Sequence, residues 1–229
     1  MNEVTMMHMV ILALGAICGV LMEKAAVCLI RRRVNLLMPY RFSGSIGKTI
    51  LWAMVNALGW LILVRINGLQ SNTLECMLLL SVCMVLSAVD ISIKKIPNEL
   101  ILMTLVIGAS FLVTGQPIGS LGINIFGFVL GFIIFFLPAM IGKGAGWGDV
   151  KYAAAVGFCL GAYGILAAVL IMTLFLALYT VYIILTGKGS LKSKIALGPF
   201  MASGFVAVLV LNIINSNNSL FDLGVFING

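Results

Sequence analysis

Long apolar runs, each about as long as a bilayer-crossing helix and separated by short polar breaks, constrain this chain more than any motif does. Lipid offers no partner to backbone N–H and C=O groups, so a spanning segment must be a helix or part of a closed barrel. The runs here are continuous rather than alternating, which excludes the barrel. Of 229 residues, 62% are hydrophobic and only 9% charged, well outside the soluble globular range. With ~20 apolar residues needed per crossing, spans are expected near 6–30, 50–66, 74–93, 98–114, 119–141, 149–163, 164–186 and 195–214. The expected fold is therefore all-α: one membrane-embedded bundle of about eight transmembrane helices over residues 1–229, without a second domain or internal repeat. Glycine, proline and polar residues gather at the breaks, as in NGLQSN from Asn67, KKIPN from Lys94, TGQPIGS from Thr114, GKGAGWGD from Gly142 and LGAYG from Leu160.

Charge then orients the bundle. The net charge of +7 is carried by short basic clusters between apolar runs, so it reads as topology rather than as a nucleic-acid surface. Arg31, Arg32, Arg33, Arg41 and Lys48 follow the first run, Lys94 and Lys95 the third, and Lys188, Lys192 and Lys194 the seventh; Lys143 and Lys151 bracket the loop after the fifth. Only Lys24 and Arg65 depart from the pattern. Basic loops mark the cytoplasmic side, which puts both termini outside and makes 31–49 a short basic cytoplasmic segment. The opening run is preceded by Glu3 and no Lys or Arg, so it is expected to stay as a helix rather than to be removed as a signal peptide. Cys18, Cys28, Cys76, Cys83 and Cys159 all lie in apolar segments and form no C-x-x-C pair, so neither disulfides nor a metal site is expected.

Acidic residues inside apolar spans are the informative ones, because an Asp at a helix centre costs about 3 kcal/mol even on the milder insertion scales. Asp90 lies near the cytoplasmic end of the third span, one turn before Lys94 and Lys95, and Asp149 starts the sixth. Those two spans run in opposite directions, so the carboxyls can face each other at one depth. Two carboxyl groups so placed share a proton: one acts as base toward water, the other as acid toward the scissile carbonyl and the leaving amine. These residues alone leave three readings open: catalysis, ion transport along a polar path, and structural pairing. Asp149 also suits a plain N-terminal helix cap. Glu75 is expected on the outer side, away from the pair.

Taken together, VDISIKKIPNEL from Val89 and GKGAGWGDVKYAAAVG from Gly142 resemble the two active-site motifs of type IV prepilin peptidases. Asp90 is followed at the family's spacing by Ile96, Pro97 and Asn98, and the G-x-G-D motif by Val150 and Lys151, here Gly146, Gly148, Asp149, Val150 and Lys151. LGPFMASG from Leu197 is similar to the family's glycine-proline segment, with Gly198 and Pro199 in the matching places. The resemblance implies a prokaryotic cytoplasmic-membrane aspartyl endopeptidase. Asp90 and Asp149 would be catalytic, and the substrates pilin-like precursors whose short basic leader precedes a hydrophobic helix. Peptide cleavage needs no cofactor; lipid and the precursor are the expected partners, with no nucleic acid. Many members also methylate the new N-terminus with S-adenosylmethionine and carry two zinc-binding C-x-x-C pairs after the first span. This chain lacks those pairs and has Glu23 where the family commonly has Asn, so the resemblance implies cleavage more strongly than methyl transfer. The alternative from another class is a proton- or cation-coupled transporter using the same two aspartates.

Overall fold

In the computed structural model, residues 3–33, 46–113, 121–141, 146–186 and 195–217 are described, and they form seven helices and no strand. These are α1 (Glu3–Arg33), α2 (Ile46–Asn67), α3 (Ser71–Ile93), α4 (Asn98–Val113), α5 (Leu121–Met140), α6 (Trp147–Leu185) and α7 (Gly198–Asn217). All but α4 are long and apolar enough to cross a membrane. The ends fall within a few residues of the expected spans, except that 149–163 and 164–186 form one helical stretch. Residues 34–45 of the basic segment, the 114–120 break, Lys143, the 187–194 cluster and the chain beyond 217 lie outside the described residues.

A continuous helix over the 39 residues of α6 would extend about 58 Å, nearly twice the ~30 Å hydrocarbon layer. It is interrupted at Gly161, whose backbone (φ 70°, ψ −178°) occupies a region open essentially only to glycine. Ala153 and Val156 before the break line the same small cavity as Ile165, Ala168 and Met172 after it. Residues 19 apart on a straight helix would be separated by about 28 Å, so the chain reverses at Gly161 and its two limbs lie side by side. The break signalled by LGAYG is thus real and sits at the first of its two glycines.

The buried centre of the bundle is α3, which packs against α1, α2, α4 and α7. Its Leu79, Val82, Val85, Leu86 and Val89 are all but fully enclosed. One polar knot ties three helices there: Asn56 Nδ2 donates to the Gly15 carbonyl at 2.9 Å, Ser81 Oγ donates to Asn56 Oδ1 at 2.9 Å, and Trp60 Nε1 donates to the Met77 carbonyl at 3.0 Å. In a lipid-facing bundle such fully paired groups specify which helices neighbour one another. The outward faces are apolar too, as at Leu14, Ile17 and Leu21 of α1 and Leu170, Leu174 and Leu178 of α6, which suits a hydrocarbon surround.

Candidate active site

Asp90 sits three residues from the end of α3 and is 4% exposed. The helix stops at Lys94, which takes a left-handed conformation (φ 51°, ψ 41°) while its N–H donates to the Asp90 carbonyl at 2.8 Å. The Asp90 side chain reaches the first residue of α7, 108 positions away: Gly198 N–H donates to Asp90 Oδ2 at 2.7 Å. An anion at a helix N-terminus meets both a free N–H and the positive end of the dipole. Only glycine fits this contact. A Cβ on residue 198 would stand 2.7 Å from Asp90 Cβ and 2.8 Å from its Oδ2.

Asp149 is half-buried in the first turn of α6, where its Oδ2 accepts the Gly146 N–H at 2.7 Å. The local sequence explains the pose: an acidic residue at the third helical position caps the turn from within, and Trp147 stacks edge-on against Phe136 of α5 with ring centroids 5.9 Å apart, fixing where α6 begins. The helix-cap reading of Asp149 is therefore correct as geometry. It is compatible with chemistry, since the cap engages one carboxyl oxygen and leaves the other.

The two sequence motifs meet. Gly148 lies against the backbone of Ile96, close enough that a Cβ there would be 3.1 Å from Ile96 Cβ and 3.4 Å from its N and O. Lys151 Nζ lies 3.5 Å from Asn98 Oδ1. Pro97 accepts the Leu100 and Ile101 N–H groups through its carbonyl, opening α4 just as α3 ends. The two aspartates stand within range of a direct charge interaction. Farther along, Cys83 Sγ lies 3.4 Å from Tyr152 OH, so α3 and the first limb of α6 run antiparallel from the aspartates inward. Asp90, Pro97, Asn98, Gly146, Gly148, Asp149, Lys151, Gly198 and Pro199 thus gather at one end of the bundle. Arg33 joins them from α1 through a 2.8 Å ion pair to Glu99, which the sequence reading did not anticipate. Nor did it anticipate the fully buried Tyr152, whose place among small apolar residues was its one signal.

Comparison with known proteins bears on this arrangement. Residues 77–181, which hold both aspartates, match the model of the type IV leader peptidase family. Over those residues the chain is similar to the type IV leader peptidase family. It is 28% identical over 141 residues to the prepilin leader peptidase/N-methyltransferase of Bacillus subtilis (strain 168), an overlap of 61% of this chain and 56% of that protein. The chain thus spans about half the length of the curated relative it matches. No solved structure matches. The leader peptidase match stops short of Gly198, so the contact between α7 and Asp90 rests on geometry alone.

That contact yields a test. Gly198→Ala keeps the N–H but forces Asp90 or the start of α7 to move by several tenths of an ångström. Misplacing a reacting group on this scale costs up to about 100-fold in rate. On the peptidase reading proposed below, cleavage should fall by up to that factor while the thermal midpoint in detergent changes little; unaltered cleavage would show that the Gly198 contact does not position Asp90.

Proposed function

We propose that this chain is a membrane aspartyl endopeptidase that removes the short basic leader from type IV pilin-like precursors at the cytoplasmic membrane face. Asp90 and Asp149 are its catalytic pair. The observation that carries the reading is the meeting of the two motifs: two carboxyl groups from separate helices, each anchored by a backbone N–H, stand within charge interaction at one end of the bundle. One aspartate takes the proton of an attacking water, and the other, protonated, donates to the developing oxyanion and then to the leaving amine. A bond between a charged leader and a membrane helix lies at the interface, which matches a site built at helix ends. The same placement disfavours ion transport as the role of the pair, because a transport site lies near the bilayer midplane on interrupted helices.

The deciding experiment is cleavage of a bilayer-embedded precursor by the purified protein and by its Asp90→Asn and Asp149→Asn variants, with the product N-terminus weighed by mass spectrometry. Undiminished cleavage by either variant would remove the dyad. The same spectrum reads the second proposal, transfer of a methyl group from S-adenosylmethionine, which rests on the double name of the Bacillus subtilis relative.

A further inference from the structure

Lys24 is one of the two basic residues that the topology pattern leaves unexplained. It stands in α1 seven residues before Arg31, about 10 Å back along the helix. α1 packs on α2 and α3 through the face that carries Ile11, Ala26 and Ile30. Its other face is apolar and open: Leu14, Ile17 and Leu21 are each more than half exposed. Lys24, Cys28 and Arg31 continue that stripe at the same spacing of three and four residues, and all three are exposed. One outward face of α1 therefore runs from a surface suited to acyl chains to a cationic end.

At that end lies an open cavity of about 520 Å³, within the range of small-molecule sites, lined by Glu23, Lys24, Val27, Cys28, Arg31 and Arg32. Three cations against one carboxylate leave its wall with a surplus of positive charge. Among the described residues none of the three cations forms an ion pair, even with Glu23 in the same wall. The preference for basic residues at the ends of spanning helices accounts for Arg31 and Arg32 without any ligand. It does not account for Lys24, whose ammonium is costly at hydrocarbon depth unless it reaches the interface or meets an anion there.

We propose that the Arg31–Arg32 end of α1 holds one anionic phospholipid, with its phosphate among Lys24, Arg31 and Arg32 and its acyl chains along Leu21, Ile17 and Leu14. A lipid suits the site better than a soluble phosphate, because Lys24, Cys28 and Arg31 of the cavity belong to the stripe that faces hydrocarbon. Glu23 narrows the headgroup: its carboxylate repels a second negative charge and accepts hydrogen bonds from hydroxyls, which favours a single phosphodiester with a neutral polar end. The bound lipid secures the end of α1, whose Arg33 is paired with Glu99 at the start of α4. The site stands independently of the peptidase reading.

The test uses the purified full chain in an uncharged detergent, titrated with dioleoyl phosphatidylglycerol or with dioleoyl phosphatidylcholine. At tenfold above its dissociation constant phosphatidylglycerol should raise the thermal midpoint by about 4 °C over phosphatidylcholine, saturably. Lys24→Gln should weaken the apparent affinity by about tenfold, whereas Lys24→Arg, which keeps the charge, should hold it near the original. Lys95→Gln removes the same charge from an exposed residue beyond the end of α3 and should change nothing. Native mass spectrometry of the unaltered protein should show one phosphatidylglycerol retained per chain at collision energies that strip phosphatidylcholine, a measurement that needs no variant. Equal midpoints with the two lipids, or equal retention of them, would overturn the proposal. So would a response that survives Lys24→Gln intact, or one that Lys95→Gln weakens as much, since the attraction would then be spread over the basic end of the bundle rather than seated on α1.

Discussion

Asp149→Asn is expected to reduce cleavage of a membrane-embedded precursor by about 10⁴-fold, and Asp90→Asn by a similar factor, while both proteins remain folded. The size follows from what the substitution removes. Asparagine is nearly isosteric and still accepts a hydrogen bond, so the Gly146 N–H keeps its acceptor in Asp149→Asn and the Gly198 N–H keeps its acceptor in Asp90→Asn. What is lost is the ability to take or give a proton, and deleting one member of a cooperating catalytic set costs about as much as deleting the set. Asp149→Ala makes the informative contrast: it removes the cap as well, so it should lose activity to the same extent and about 1 kcal/mol of stability besides. The measurement is initial cleavage rate by mass spectrometry, beside a thermal melt of each variant. If Asp149→Asn kept its rate while Asp149→Ala destabilised the chain, Asp149 would be a helix cap and nothing more.

Much of this architecture is legible in the residues, and the parts that are not share a cause. Helix positions follow from apolar length and from Gly, Pro and Asn at the breaks, which is why Gly161 and the Pro97–Asn98 start of α4 fall where the punctuation lies. Which face of each helix turns inward is another matter. In water a helix announces its buried side by amphipathic periodicity, but lipid and protein interior are equally apolar, so that signal fades in a membrane bundle. Glu75 illustrates the loss. Its position in the chain gives the end of α3 on which it lies, away from Asp90, but not the face, and the packing of α3 encloses it almost completely. The Asp90–Gly198 contact is invisible for a further reason, since it joins positions 108 residues apart through a backbone N–H that leaves no side-chain trace. The motif resemblance pointed to both residues without indicating that they touch.

The helix pair that carries Asp149 supplies the largest expected loss of stability. In α5 and α6 the backbones approach so closely that a Cβ at Gly157 would fall well inside van der Waals contact of the Gly127 carbonyl oxygen, 2.7 Å from the Gly127 carbonyl carbon and 3.2 Å from Phe128 N. A Cβ at Gly127 would meet the Gly157 carbonyl oxygen and stand 2.8 Å from the Gly161 Cα, so the contact is crowded from both sides. These neighbours are backbone atoms, which cannot swing aside as a side-chain tip can. Gly157→Ala should therefore push the two helices apart and cost about 3 kcal/mol, at the upper end of overpacking penalties. Gly122→Ala, where no atom lies within 4 Å of the added carbon, is the matched control and should stay within about 0.5 kcal/mol. Because Gly157 stands two turns along the limb that begins with Asp149, the shift should also reach the site, and cleavage should fall more steeply than the melting curve at assay temperature accounts for. Equal midpoints for the two alanine variants would mean that the α5–α6 interface is looser than this glycine contact requires. A destabilised Gly157→Ala protein with undiminished cleavage would instead show that Asp149 is held by its own turn and by Ile96, independently of the packing behind it.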